Sequence, residues 1–152
     1  MPEIEYRRLI LPTIIAAVLP YAAGAATMSD ERVCRFETVV ACHAIGDADP
    51  YLCGDEKPSF TLTAIAAGAS QYAFEFTGSG GEKEYIRGSN FGFGPTFERG
   101  PATYTLGRAG DMPVLLVIRS EDGKPATAES WTGTCEIQSV DVDAIEQGAS
   151  GQ

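Results

Sequence analysis

The leader constrains this chain most. Arg7-Arg8 opens onto the apolar run Leu9 to Tyr21, which gives way to the small-residue stretch Ala22-Ala23-Gly24-Ala25-Ala26. A basic start, a short apolar middle and a small-residue exit are the three parts of a cleaved secretory signal. A spanning helix needs about 20 predominantly apolar residues, whereas this run is shorter and is interrupted by Pro12, Thr13 and Pro20. The expectation is cleavage after Ala25 or Ala26, no permanent membrane anchor, and a periplasmic or secreted protein. Cys34 follows Asp30-Glu31-Arg32-Val33 rather than a small-residue box, so lipidation there is not expected.

That address sets the chemistry of the four cysteines, which an oxidising compartment turns into disulfides. Four cysteines allow three pairings. The preferred one joins Cys34 to Cys135, early strand to late strand, and Cys42 to Cys53 around the loop His43 to Leu52; the two other pairings stay open. By chain-entropy reasoning, a loop of about 100 residues contributes up to about 4.7 kcal/mol and the shorter one somewhat under about 3 kcal/mol.

Loss of the leader removes Glu3, Glu5, Arg7 and Arg8, so 21 acidic and 11 basic residues become 19 and 9 and the net charge stays at −10. Such a surface repels phosphate backbones and anionic lipid, which argues against nucleic acid and for a basic partner, if the charge does more than keep the protein soluble. The organisation expected is a signal over 1–26, a polar lead-in over 27–32, one β-domain over 33–140 and a flexible acidic, small-residue tail over 141–152.

The body reads as strands. Phe60, Leu62 and Ala64 alternate with Thr61, Thr63 and Ile65, and Tyr72, Phe74 and Phe76 alternate with Ala73, Glu75 and Thr77, the period of a half-buried strand. Ala67-Gly68-Ala69-Ser70 serves as a tight connection, and Gly78-Ser79-Gly80-Gly81 as a hairpin loop into Lys83 to Arg87. Thr103 to Leu106 and Val114 to Ile118 follow, the latter apolar on both faces. Asp122-Gly123 is the strongest hairpin signal, linking Val114–Ser120 to Ala126–Trp131, with a last strand over Thr132 to Gln138. Short strands, glycine-rich turns and no helical period after the leader predict an all-β protein, a single small antiparallel β-barrel or sandwich.

The stretch Cys34-Arg35-Phe36-Glu37-Thr38, the later Cys42 and Cys53, and Gly133-Thr134-Cys135-Glu136 after a glycine-turned hairpin resemble small exported bacterial β-domain proteins of unassigned function. The plan over Cys34 to Ile137 is also similar to the periplasmic C-type lysozyme inhibitors, which are small eight-stranded barrels. The Ser-Gly inhibitory motif of those inhibitors, with its aromatic and basic partner, is not found here, so no inhibitory residue is carried over.

Candidate chemistry is sparse. His43, the only histidine, stands beside Cys42 and near Asp47, Asp49 and Cys53. Zinc would need free thiolates that a disulfide consumes, so a stapled loop with a solvated histidine is the preferred reading and no metal is assigned. Asp47-Ala48-Asp49 runs into Pro50 and lacks the later glycine and glutamate of a calcium loop. Asp141-Val142-Asp143 reads as solvated tail. No Gly-x-Ser-x-Gly elbow or phosphate-cradling loop is present, and acidic pairs such as Glu82 and Glu84 arise readily in so acidic a chain. No catalytic residue and no cofactor is assigned, and an enzyme is the less favoured class.

One region suggests recognition. Gly88-Ser89-Asn90-Phe91-Gly92-Phe93-Gly94-Pro95-Thr96-Phe97 sets Phe91, Phe93 and Phe97 among loop-forming residues, as contacts for a partner or a ligand. The three share one parity, so the alternative is the inward face of a glycine-bulged strand, the commoner cause of such spacing. Trp131 is expected in the core. The leading functional expectation is a non-enzymatic exported domain that binds a basic protein or a small apolar ligand. A structural, envelope-maintenance role is the alternative that solvent-facing aromatics would count against.

Overall fold

A computed structural model describes residues 26–45 and 57–151. The expected signal and the loop holding Asp47, Asp49 and Cys53 lie outside the described residues. Eight antiparallel strands follow one another around a closed barrel: β1 (Met28–Ala44), β2 (Phe60–Ala66), β3 (Gln71–Thr77), β4 (Lys83–Asn90), β5 (Pro95–Arg99), β6 (Ala102–Ala109), β7 (Met112–Arg119) and β8 (Thr127–Asp141). Of the two architectures anticipated, the barrel is the one formed. Closure pairs every strand on both sides and leaves no free sheet edge to protect.

Alternation positions the core. Phe60 and Leu62 from β2, Phe74 and Phe76 from β3, Phe97, Tyr104, Leu115, Val117 and Trp131 all point inward and are buried. The rings pack against one another across the interior. Phe60 stacks on Phe76 at 4.9 Å between centroids, Phe97 stacks on Tyr104 at 4.8 Å, and Phe60 meets Trp131 edge-on at 5.1 Å. Aromatic contacts of this kind contribute about 0.5–1.5 kcal/mol each beyond their burial.

The closing seam is β1 on β8, the two longest strands. Cys34 lies directly opposite Cys135, and the two are bonded across a sequence separation of 101 residues. Cys42 is also disulfide-bonded; its expected partner, Cys53, lies outside the described residues. Bulges between Phe36 and Thr38 and between Val39 and Ala41 interrupt the β1 register; extra residues of this kind bend a strand and increase its twist.

Three boundaries differ from expectation. The polar lead-in is not separate, because β1 starts at Met28 and its first residues pair with Ile137–Asp141 of β8. The expected strands over 126–131 and 132–138 are one strand, since a closing β8 must pair with β7 through its first half and with β1 along its whole length. The expected flexible tail is a helix, α1 (Val142–Ser150). Its N-cap is Asp141, whose carboxylate accepts from the Ala144 amide at 3.0 Å, satisfying one of the helix's orphan donors. Ile145 and Ala149 bury against Ile65 and Ala73 on the outer face of the barrel, with Tyr85 and Val140 alongside. A nine-residue helix is marginal alone, so this second, smaller core is what holds it. Gly148 makes the approach possible: a Cβ there would fall 2.4 Å from the Tyr85 ring.

Candidate functional site

Strand polarity sorts the turns between two ends of the barrel. One end carries the turns 67–70, 91–94 and 110–111; the other carries 78–82, 100–101 and 120–126. The ends differ in chemistry.

At the first end the three phenylalanines separate. Phe97 on β5 is 2 % exposed and packs on Phe74 and Tyr104, so it is a core residue and not a contact. Phe91 and Phe93 are 70 % and 92 % exposed. Their common parity does not put them on one strand face because the chain leaves the strand at Asn90. Gly92 takes φ +63° and Gly94 φ +143°, and the Phe93 amide donates back to the Phe91 carbonyl at 2.5 Å. Glycine accepts these left-handed conformations at no steric cost. The strand resumes at Pro95, where Thr96 hydroxyl donates to the Gly94 carbonyl at 3.1 Å and pins the turn. Beside the two rings, the outer face of β4, β5 and β6 forms a groove of about 420 Å³ that includes Arg87, Ser89, Glu98 and Thr103. Met112 and Ile137, 46 % and 71 % exposed, belong to the same end.

The second end is closed by charge. Glu129 points inward from β8 and its side chain is 6 % exposed. Lys57 bonds one carboxylate oxygen, the Arg119 Nε donates to the same oxygen at 3.3 Å, and the Trp131 indole N–H donates to the other at 3.3 Å. Burial alone would raise the Glu129 pKa; Lys57, Arg119 and Trp131 more than offset it and hold the carboxyl below its ordinary value of 4.5. A second pair closes the gap between β4 and β5, which pair only from Gly88 to Asn90. Arg99 donates through Nε to Glu84 at 2.5 Å and lies 4.4 Å over the Phe76 ring. These charged residues are far apart in sequence, and no spacing signalled that they would meet.

His43 is half-buried on β1. Among the described residues no three histidine, cysteine or carboxylate side chains converge to hold a metal ion, and no helix is long and apolar enough to cross a membrane. Trp131 is buried at 4 % exposure, floor of the barrel as expected. No protein-family model, curated protein or solved structure matches the chain.

Proposed function

We propose that the protein is an exported, non-enzymatic binding domain that docks a basic protein partner through the Phe91–Phe93 turn. The observation that carries this reading is the pair of solvent-facing rings on a pinned, glycine-shaped turn beside a groove. Large aromatics presented on a rigid scaffold are the residues that anchor interfaces, each contributing upwards of about 2 kcal/mol when a partner pocket takes them. The ring-packed interior favours a protein over the small apolar ligand, since a ligand inside would have to displace those rings. The net charge of −10 favours a basic partner and accelerates its encounter. The Cys34–Cys135 bridge supports an oxidising address, periplasmic or extracellular.

Site-specific photocrosslinking tests it. A benzoylphenylalanine placed at Phe93, and for comparison at exposed Val40, is activated in a bacterial host that exports the protein. A discrete adduct with a basic protein at 93 and none at 40 is expected, and it should vanish when Phe91 is changed to Ala in the same chain. Equal adducts at both positions, or none at 93, would overturn the reading.

A further inference from the structure

Two hollows adjoin on the outside of the barrel at β4. One is the groove beside the Phe91–Phe93 turn. The other, of about 390 Å³, lies between the last turn of α1 and the start of β3, with Gln71, Glu146 and Ser150 on its walls. Arg87, Gly88 and Ser89 line both, so the two meet over β4 and together cross the barrel surface from the helix to β6. Strands about 4.8 Å apart make the step from β3 to β6 about 14 Å, the reach of about five residues of extended chain, with the helix and the turn beyond it at either side.

The charges along this track have an order. Glu146 on α1, Arg87 on β4 and Glu98 on β5 line it in turn, anion, cation, anion. Among the described residues none of the three makes an ion pair or a side-chain hydrogen bond. Arg87 and Glu98 follow the Gly88–Phe97 pair on adjacent strands, and Arg87 is exposed. The last turn of α1 holds no basic residue, so the carbonyl end of the helix adds negative potential beside Glu146. The Phe91 and Phe93 rings stand past Glu98, at the far side of the same hollow.

Taking the Phe91–Phe93 turn as the docking point proposed above, we infer that the track beside it binds an extended segment of the basic partner in which two lysines or arginines flank one acidic residue at alternate positions and a large apolar residue follows. Alternate side chains of an extended strand point to one face. The two cations then meet Glu146 and Glu98, the acid meets Arg87, and the apolar residue reaches the rings. Arg87 sets the specificity. An uninterrupted basic run, which net charge alone would attract, places a cation against it. Exposed ion pairs contribute little singly, so the order of charges selects the segment and the rings anchor it.

The nitrogen-labelled exported chain is titrated, with amide chemical shifts as the readout, with the end-capped peptide Leu-Thr-Lys-Thr-Glu-Thr-Lys-Thr-Leu to about 5 mM. The peptide reads the same in both directions, so either chain direction can seat it. Saturable shifts at Gln71, Ser89 and Gly92 together are expected. Leu-Thr-Glu-Thr-Lys-Thr-Lys-Thr-Leu, identical in composition, should bind at least about fivefold more weakly, the effect of one exposed ion pair. Arg87→Glu, a change at an exposed position, should weaken the alternating peptide and strengthen Leu-Thr-Lys-Thr-Lys-Thr-Lys-Thr-Leu. Shifts confined to residues 91–94 would overturn the track while leaving the turn as a docking point, whose own failure is the missing photocrosslink at Phe93. No saturable shift, equal binding of the permuted peptide, or an unchanged order of preference in Arg87→Glu would each overturn the track as well.

Discussion

The two ends of this barrel solve the same problem in opposite ways. At each end inward-facing strand positions run out of core and approach water. The Lys57–Glu129–Arg119 end caps its rings with two cations converging on one carboxylate, and Glu129 with Trp131 ties the cap to the floor. The Phe91–Phe93 end leaves aromatic surface in solvent, 70 % and 92 % exposed, and stabilises only the turn that presents it. Rings within a few residues of one another, Phe93 and Phe97, therefore have different jobs. Sequence parity is shared between them, and backbone conformation decides.

The comparison can be broken by experiment. The largest effect belongs to the bridge common to both ends: Cys34→Ala with Cys135→Ala should cost up to about 4–5 kcal/mol, read as a lower urea midpoint. A midpoint that stays put would mean the β1–β8 pairing alone holds the barrel shut. Phe97→Ala should cost about 3–5 kcal/mol, the range for a buried phenylalanine, and a loss below about 1 kcal/mol would place it on the contact side of the division.

At the charged end, Glu129→Gln should cost about 1–3 kcal/mol by leaving Lys57 and Arg119 without their anion. The same residue sets a pH dependence. Its folded pKa lies below the ordinary 4.5, so its stabilisation is complete above that value and is lost as pH falls through the folded pKa. Urea midpoints measured downward from pH 6 should decline in the native chain and decline less steeply in Glu129→Gln; parallel curves would show that other carboxylates dominate. The smallest effect is the sharpest test of the contrast. Phe91→Ala with Phe93→Ala should leave stability within about 0.5 kcal/mol, while removing the proposed contact. A loss comparable to that of Phe97→Ala would mean these rings are structural after all.

What was legible in the sequence followed from local rules. Alternation located β2 and β3 to within a residue, and Asp122-Gly123 gave the β7–β8 hairpin. The Cys34–Cys135 pairing, preferred among three, is the one formed. Legibility ended where structure depends on remote partners. The tail offers few apolar residues, of which only Ile145 and Ala149 are fully buried, too few to suggest order until Ile65 and Ala73 supply a surface for them. A usable hint was present in Asp141, an N-cap residue before a short apolar step, which had the look of solvated tail. The charged mouth joins residues from Lys57 to Trp131, and such convergence has no spacing to read. In the Phe91–Phe97 stretch, parity pointed to a single face; Gly92 in the left-handed region resets it.

That the seam joins the first strand to the last has a consequence for how the protein comes into being. Almost every contact β1 makes with β8 waits for the end of the chain, and such distant pairing slows folding because the loop must be closed before it is rewarded. In a chain made from its N-terminus and oxidised as it emerges, Cys34 would encounter Cys42 and Cys53 well before Cys135. Premature oxidation would then trap the wrong partner, and the native bond would be reached by thiol–disulfide exchange. The assembly rate of this barrel should therefore be set by cysteine reshuffling rather than by strand formation, a dependence on isomerase supply written into the order of its strands.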